Sequence, residues 1–440
     1  DKRFPPLDIV PHAQGKMFKI RSMITGHGQE GEFIAREHTI SVDGQEFTRE
    51  VWKQCSENPV YPQGGTWVYA RAGWCPGMAT DLAEYDVTSL MDQGELNSFD
   101  YTVFSGSGDS RYVVNNQLVT YGAANFTRDA AIVEVRRPSD RVEFARYNPA
   151  ATQPVVAIRN NGSETLTSLT IEYGVTGAST HTFEWKGSLT FLDTQHVTLP
   201  TPTSWGSLPT NTFVVKVMQP NGQSDEYAKN DVSVSRFEKA PVFPRPIIVR
   251  YRTNKVPEQN YYEIRDATGK IVHSNYDATE PSTTYFDSLT LAPGNYTFTF
   301  FDDGENGIAW WAAPDDGNGT LALRKNRLST GTAIKSFNPD FGRFTQQDFI
   351  IEGTASVGDQ SQIVKAVRVF PNPATSVLNV ELKGYDGQKF AYRIIDMTGK
   401  QVLLGSLSNG RIDISALSTG SYTLELLSDE GSSHISFIKE

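Results

Sequence analysis

The sequence predicts an all-β protein made of several small sandwiches, and three observations carry that expectation. Apolar and polar residues alternate with period two along most of the chain, as in "KMFKIRSMITG" and "TFVVKVM". Turn-forming residues recur at short spacing, with 36 glycines and 23 prolines among 440 residues. No segment shows the periodicity of an amphipathic helix. The length exceeds one ordinary domain, and a hydrophobic content of 38% suffices for several modest cores.

The elements follow in chain order. "KMFKIRSMITG", "HTISVDGQEFTREVW", "SFDYTVFSGSG", "RYVVNNQLVTYG" and "AAIVEVRR" read as strands of a first unit, 1–138, closed by "RPSD" at 137–140. A second unit, 141–240, opens as strand, Asn-Asn-Gly turn, strand in "PVVAIRNNGSETLTSLTIEYGV". A further Asn-Gly turn follows at 221–222, and the spacing suggests an immunoglobulin-like or fibronectin-like sandwich. The proline-rich "EKAPVFPRP" at 238–246 reads as a linker into a third sandwich, 245–353. "GTASVGDQSQ" at 353–362 reads as a second linker. Residues 366–440 form a compact seven-strand pattern, with Thr398 and Gly399 at a hairpin turn.

A net charge of −11 and a pI near 5.3 argue against nucleic acid and anionic membrane as partners. No run of 18 apolar residues exists, so no transmembrane helix is expected. No signal peptide stands at Asp1, which reads as a mature, trimmed or cytosolic chain. Cys55 and Cys75 are the two cysteines. They are either two unrelated buried thiols or one disulfide. The absence of any other cysteine favours the disulfide, and with it an oxidising compartment. In "FDDGENG", Asp302, Asp303 and Glu305 place hard oxygen donors in one turn, which suits a structural Ca2+. An acidic glycine turn is also an ordinary strand exit. Of Trp310 and Trp311, one is expected in the core and the other at a carbohydrate or protein contact.

Two resemblances add function. "VFPNPATSVLNVEL" (369–382), "IIDMTGKQV" (394–402) and "IDISALSTGSYTLEL" (412–426) resemble the type A C-terminal sorting domain of the type IX secretion system of Bacteroidetes. That resemblance implies export across the outer membrane. Its implied partners are the translocon, an outer-membrane shuttle protein and a sortase-like protease, engaged through 366–440, and its implied location is secreted or cell-surface.

"MITGHGQEGEFIAREHTISVDGQEF", "QCSENP" and "YARAGWCPGMAT" resemble the second jelly roll of the peptide-N-glycosidase F family, over about 1–137. The family cleaves the amide between asparagine and the first sugar of an N-glycan. Its pattern joins the two cysteines, supporting Cys55–Cys75. The family's glutamate falls at Glu32, and an arginine of its site falls at Arg71, which would pair with Glu32. Phe33 replaces the family's tryptophan, and the cysteines flanking that glutamate are missing, with Ile34 at one of them. His27 stands where the family has another tryptophan. Trp74 and Trp67, with Tyr69 beside them, are candidate glycan contacts.

The principal aspartate of the family belongs to a preceding jelly roll without a counterpart here, so this chain is expected to lack turnover by itself. Copper chemistry, found on related jelly-roll pairs, is disfavoured: His12, His27 and His38 are scattered and form no His-x-His pair. No cofactor is required. Two functions follow: a glycoamidase-related protein directed at N-glycoproteins, or a non-enzymatic surface protein binding glycan or protein.

Overall fold

The computed structural model describes residues 4–60, 62–103, 108–325, 333–352, 367–382, 390–397, 400–407, 409–428 and 431–440. Among them the strands form eight sheets, which face one another in pairs around four apolar cores. The chain divides into two units, Asp1–Ile351 and Glu352–Glu440.

The first sandwich contains strands β1 (Leu7–Ile9), β2 (Met17–His27), β3 (Arg36–Val42), β4 (Gln45–Val51), β5 (Leu82–Asp86), β6 (Asn97–Val103) and β7 (Arg111–Tyr121). They lie in sheets ordered β1-β6-β3-β4 and β5-β2-β7. β2 shows the alternation that builds it: Phe18, Ile20 and Ile24 point into the core, against Ile40 and Val42 of β3. Asp43 and Gly44 join β3 to β4 with φ of 48° and 82°, the two left-handed positions a two-residue hairpin requires.

"AAIVEVRR" is a strand, β8 (Ala130–Arg137), but it does not belong to the first sandwich. It pairs with β9 (Val155–Asn160) and buries Ala130, Ile132 and Val135 in the second core. The boundary therefore lies before β8 and not at 137–140. Alternation identifies a strand and is silent about its partner.

The Asn-Asn-Gly turn is likewise not a hairpin. β9 pairs with β8 and Thr194–Thr198, whereas the following strand, Leu166–Val175, pairs in the opposite sheet. Asn160 makes this crossing possible. Its buried amide donates to the carbonyls of Glu164 and Leu189, and its oxygen accepts from Gly162 N.

The third sandwich has two four-stranded sheets. The proline-rich stretch before it is part of its structure and not a free linker. Phe243 N donates to Ile350 O and Ile350 N to Pro241 O, and Phe243 stacks on Phe349 inside the core. In the C-terminal unit the seven expected strands form one three- and one four-stranded sheet. They enclose Leu378, Ile394, Leu424 and Phe437. Thr398 and Gly399 lie outside the described residues, as does 353–362; the strands flanking the former, Phe390–Asp396 and Gln401–Leu407, pair antiparallel.

The first three sandwiches are tied together by polar groups that have left water. Arg146, on a short helical turn between β8 and β9, is buried. Its guanidinium donates to the carbonyls of Ser56 and Asn58 in the first sandwich and of Phe341 and Phe344 in the third. It also lies 3.9 Å over the Phe344 ring and 5.8 Å from that of Trp67. Burial pushes its pKa down to about 10, so it remains a cation at neutral pH.

A second tie is the buried Asp348. It pairs with Arg137 and accepts from the amides of Ala151 and Thr152 and the hydroxyl of Thr297. An unpaired buried charge is costly, so each tie holds only while all its partners stay in place.

His38 is a core histidine. Nδ1 lies 2.5 Å from the Tyr101 hydroxyl, and the ring meets Tyr112 edge-on. Burial, with Arg49 and Arg36 nearby, pushes its pKa down to about 4.

Two outcomes are expected. Arg146→Met strands four carbonyls and should lower unfolding stability by about 3 kcal/mol, measured with urea; an unchanged midpoint would remove Arg146 from this role. Between about pH 6.5 and 4, the unfolded chain takes up a proton at His38 that the folded chain does not. Wild-type stability should therefore fall relative to His38→Gln as pH drops through that window, approaching about 3 kcal/mol. Parallel pH profiles would contradict this.

Candidate functional site

The site is assembled where β2 ends in "GHGQEGE". Gly26 packs so closely that a Cβ there would lie 1.8 Å from Gly31 O and 2.6 Å from Ala72 Cβ. Gly73, with φ 76°, is equally constrained: a Cβ would lie 1.9 Å from Ile24 O. These two glycines let the 71–75 segment pass against β2. Gly26 N then donates to Ala72 O, and Ala72 N to Glu32 O.

Glu32 ends a one-turn helix, α1 (Gln29–Glu32). Asp109, just before β7, holds that turn. Its carbonyl accepts from Glu30 N and Gly31 N, and its carboxylate accepts from Gln29 N at 3.1 Å. Glu30 also pairs with Arg36 at 3.6 Å. Asp109 was not legible in the sequence: it is 80 positions from Gln29, and no motif joins them.

Arg71 is 3% exposed. Nε donates to Glu32 Oε1 at 2.7 Å, and the two terminal nitrogens donate to the carbonyls of Thr66, Trp67 and Tyr69 and the hydroxyl of Thr66. All five N–H groups are thereby committed, leaving none for a ligand. The guanidinium lies 5.1 Å from the Phe33 ring centre and 5.3 Å from that of Trp74. Glu32 keeps 19% of its side chain exposed, and Oε2 takes no hydrogen bond among the described residues. The pair thus holds one carboxylate oxygen on Arg71 and leaves the other without a hydrogen bond among the described residues, on a side chain that is partly exposed.

Aromatic rings gather around the Arg71 side of this pair. His27 stacks on Trp74 at 6.2 Å and bonds Thr25, while Trp74 Nε1 donates to Gly26 O. Phe33 meets Tyr69 edge-on at 5.9 Å, and Tyr69 is 42% exposed. His27, Trp74 and Tyr69 are therefore gathered with Glu32 and Arg71.

Trp67 is not gathered with them, which corrects the expectation of a glycan contact. It is 1% exposed and donates to Asp340 Oδ1 of the third sandwich at 3.0 Å. A tryptophan in a loop reads as a surface ring; here the loop docks on a neighbouring sandwich and the ring fills the joint.

Cys55 and Cys75 form the disulfide. It links the docking loop at Cys55 to the site segment at Cys75, and a 20-residue spacing of this kind contributes roughly 3 kcal/mol.

The acidic turn of the third sandwich is spent on internal contacts. Asp302 is buried and accepts from the amides of Asn306 and Gly307 and from Asn260 Nδ2; burial pushes its pKa up to about 6. Glu305 turns the other way, onto Gln54, Ser56 and Arg343. The structure does not bring Asp302, Asp303 and Glu305 together as donors. Among the described residues no three acidic, histidine or cysteine side chains could hold a metal ion.

The model of the peptide-N-glycosidase F C-terminal domain matches residues 3–119, and that of the secretion system C-terminal sorting domain matches 368–440. The peptide-N(4)-(N-acetyl-β-D-glucosaminyl)asparagine amidase F of Elizabethkingia miricola is 32% identical over 96 residues, covering 20% of this chain and 27% of that protein. The chain thus spans about a quarter of that relative's length.

Among solved structures, latent PorU of Porphyromonas gingivalis is 11% identical, with 73% of this chain and 35% of that one covered and a TM-score of 0.14. A biofilm-associated protein BSP domain is 8% identical, with 99% and 95% covered and a TM-score of 0.15. Neither score bears on function. Both recognised domains stand where the sequence motifs put them. The second is a type IX sorting domain, which directs the chain to the cell surface or extracellular space.

Asp109→Ala should loosen α1. Amide exchange at Gln29–Glu32 is expected to accelerate, with a stability loss of about 1 kcal/mol. Unchanged exchange there would show that the Asp109 carboxylate is no part of the brace.

Proposed function

For a chain that pairs a peptide-N-glycosidase F-type domain with a secretion sorting domain, we propose that the Glu32–Arg71 face recognises the asparagine-linked end of N-glycans on glycoproteins. The observation that carries this reading is the partly exposed Glu32 carboxylate, whose Oε1 is held by an arginine with all its other donors engaged and whose Oε2 takes no hydrogen bond among the described residues. A carboxylate oxygen of that kind accepts a hydrogen bond from a sugar hydroxyl or amide N–H without paying to reorganise. Trp74, with His27 stacked on it, and Tyr69 supply ring faces for the sugar's C–H surface. Arg71 is a positioning residue on this reading, since it acts through Glu32.

Glycoamidase chemistry adds water across the asparagine amide: the C–N bond breaks, leaving aspartate, and the glycosylamine departs with a proton. A carboxylate must take the proton from the attacking water. Glu32 is tied to Arg71 and serves ligand positioning; in the family, the principal acid belongs to the preceding jelly roll. Hydrolysis therefore calls for a second carboxylate opposite this face. Binding without hydrolysis is the alternative function, and the exposed Tyr69 ring with the half-buried Trp74 and His27 supports it equally.

The test is titration of the chain with an asparagine-linked chitobiose peptide, alongside incubation with a denatured N-glycoprotein. Binding that weakens at least about tenfold in Glu32→Gln supports the reading. Glycan release lost in the same variant would add the glycoamidase. The absence of both binding and release would overturn it.

A further inference from the structure

The aromatic face does not stop at the first sandwich. Trp310 and Trp311 of the third sandwich both donate their indole N–H to one carbonyl, Gly65 O, at 3.1 and 3.0 Å. Trp310 is buried against Trp67 and Val68 and fills the joint. Trp311 is 65% exposed. A large exposed ring normally samples rotamers, but this one is held at its N–H edge by a loop of another domain. Burial does not explain it, because most of the ring stays in water.

Its place is continuous with the site. Trp311 lies 6.1 Å from Trp310, Trp310 lies 5.0 Å from Tyr69, and Tyr69 lies 5.9 Å from Phe33, on which the Arg71 guanidinium sits. Arg71 in turn holds Glu32. The row of ring contacts runs from the Arg71–Glu32 pair through exposed Tyr69 and the buried Trp310 of the domain joint to a held, open indole.

We propose that Trp311 is a sugar-binding residue of the same site, supplied by the third sandwich, and that it stacks on sugars of an N-glycan beyond the two nearest asparagine. This rests on the proposed function, whose carboxylate fixes the asparagine-linked end of the ligand. The ligand class follows from the chemistry of the row. A linear chain of sugars offers alternating C–H faces for rings and hydroxyls for the carboxylate, at successive positions. The third sandwich then sets how much of the glycan is read.

The experiment compares two probes on the full chain by calorimetry: an asparagine-linked chitobiose peptide and a peptide bearing the asparagine-linked trimannosyl-chitobiose core. Trp311→Ala should weaken the longer probe about tenfold and leave the shorter one unchanged. Trp310 serves as the contrast: its loss should disturb the joint and lower the unfolding midpoint, which Trp311→Ala should not.

Equal affinity of wild type and Trp311→Ala for the longer probe would overturn the assignment while leaving Glu32 recognition standing. Equal weakening of both probes would also overturn it, by placing the effect at the asparagine end. If wild type binds neither probe, the proposal falls together with the reading it rests on. Wild-type binding of an unglycosylated peptide, lost in Trp311→Ala, would assign the ring to a protein surface instead.

Discussion

One buried arginine sets the arrangement of the first three sandwiches. Arg146 lies between two paired strands of the second sandwich, yet its guanidinium is spent on carbonyls of the first and third. A buried guanidinium without partners costs several kcal/mol, whereas one with four carbonyls and an aromatic face is stable only in that geometry. The cation is thus a specificity device: it contributes little to a loosely docked arrangement and much to one particular arrangement. Trp67 on Asp340, Glu305 on Ser56 and Arg343 on Glu57 then line the same joint.

That joint governs the site through two covalently close segments. The docking loop carries Cys55, Gly65 and Trp67, and the disulfide passes from Cys55 to Cys75 beside Arg71. The carbonyls of Thr66, Trp67 and Tyr69, which hold Arg71, belong to this same loop. Docking of the third sandwich and orientation of Glu32 are consequently one structural problem. Asp109 and the Gly26–Ala72–Glu32 backbone bonds brace the turn that carries Glu32.

Much of this was legible in the sequence where the signal is local. Period-two patterning marked β2 and the other strands, the motifs at 369–426 marked the sorting domain, and "RAGWCPGM" with Glu32 marked the ion pair and the disulfide. What was not legible is long-range. "AAIVEVRR" has the same alternation whichever sheet it joins, so its transfer to the second sandwich could not be read. Trp67 sits in a polar loop and becomes buried only because a third domain covers it. Asp302 and Glu305 are neighbours in sequence but face opposite ways, one into its own sandwich and the other into the joint, so a clustered acidic turn gave no metal set.

The proposed site requires that Glu32 and Trp311, on different domains, face one ligand. A crystal structure of the full chain soaked with the trimannosyl-chitobiose glycopeptide tests it most directly. A sugar N–H or hydroxyl is expected within hydrogen-bond distance of Glu32 Oε2 and a further sugar packed on the Trp311 indole, with Gly65 O still accepting its N–H. A glycan bound away from the Glu32–Arg71 pair, or one reaching Glu32 with Trp311 left bare, would contradict it.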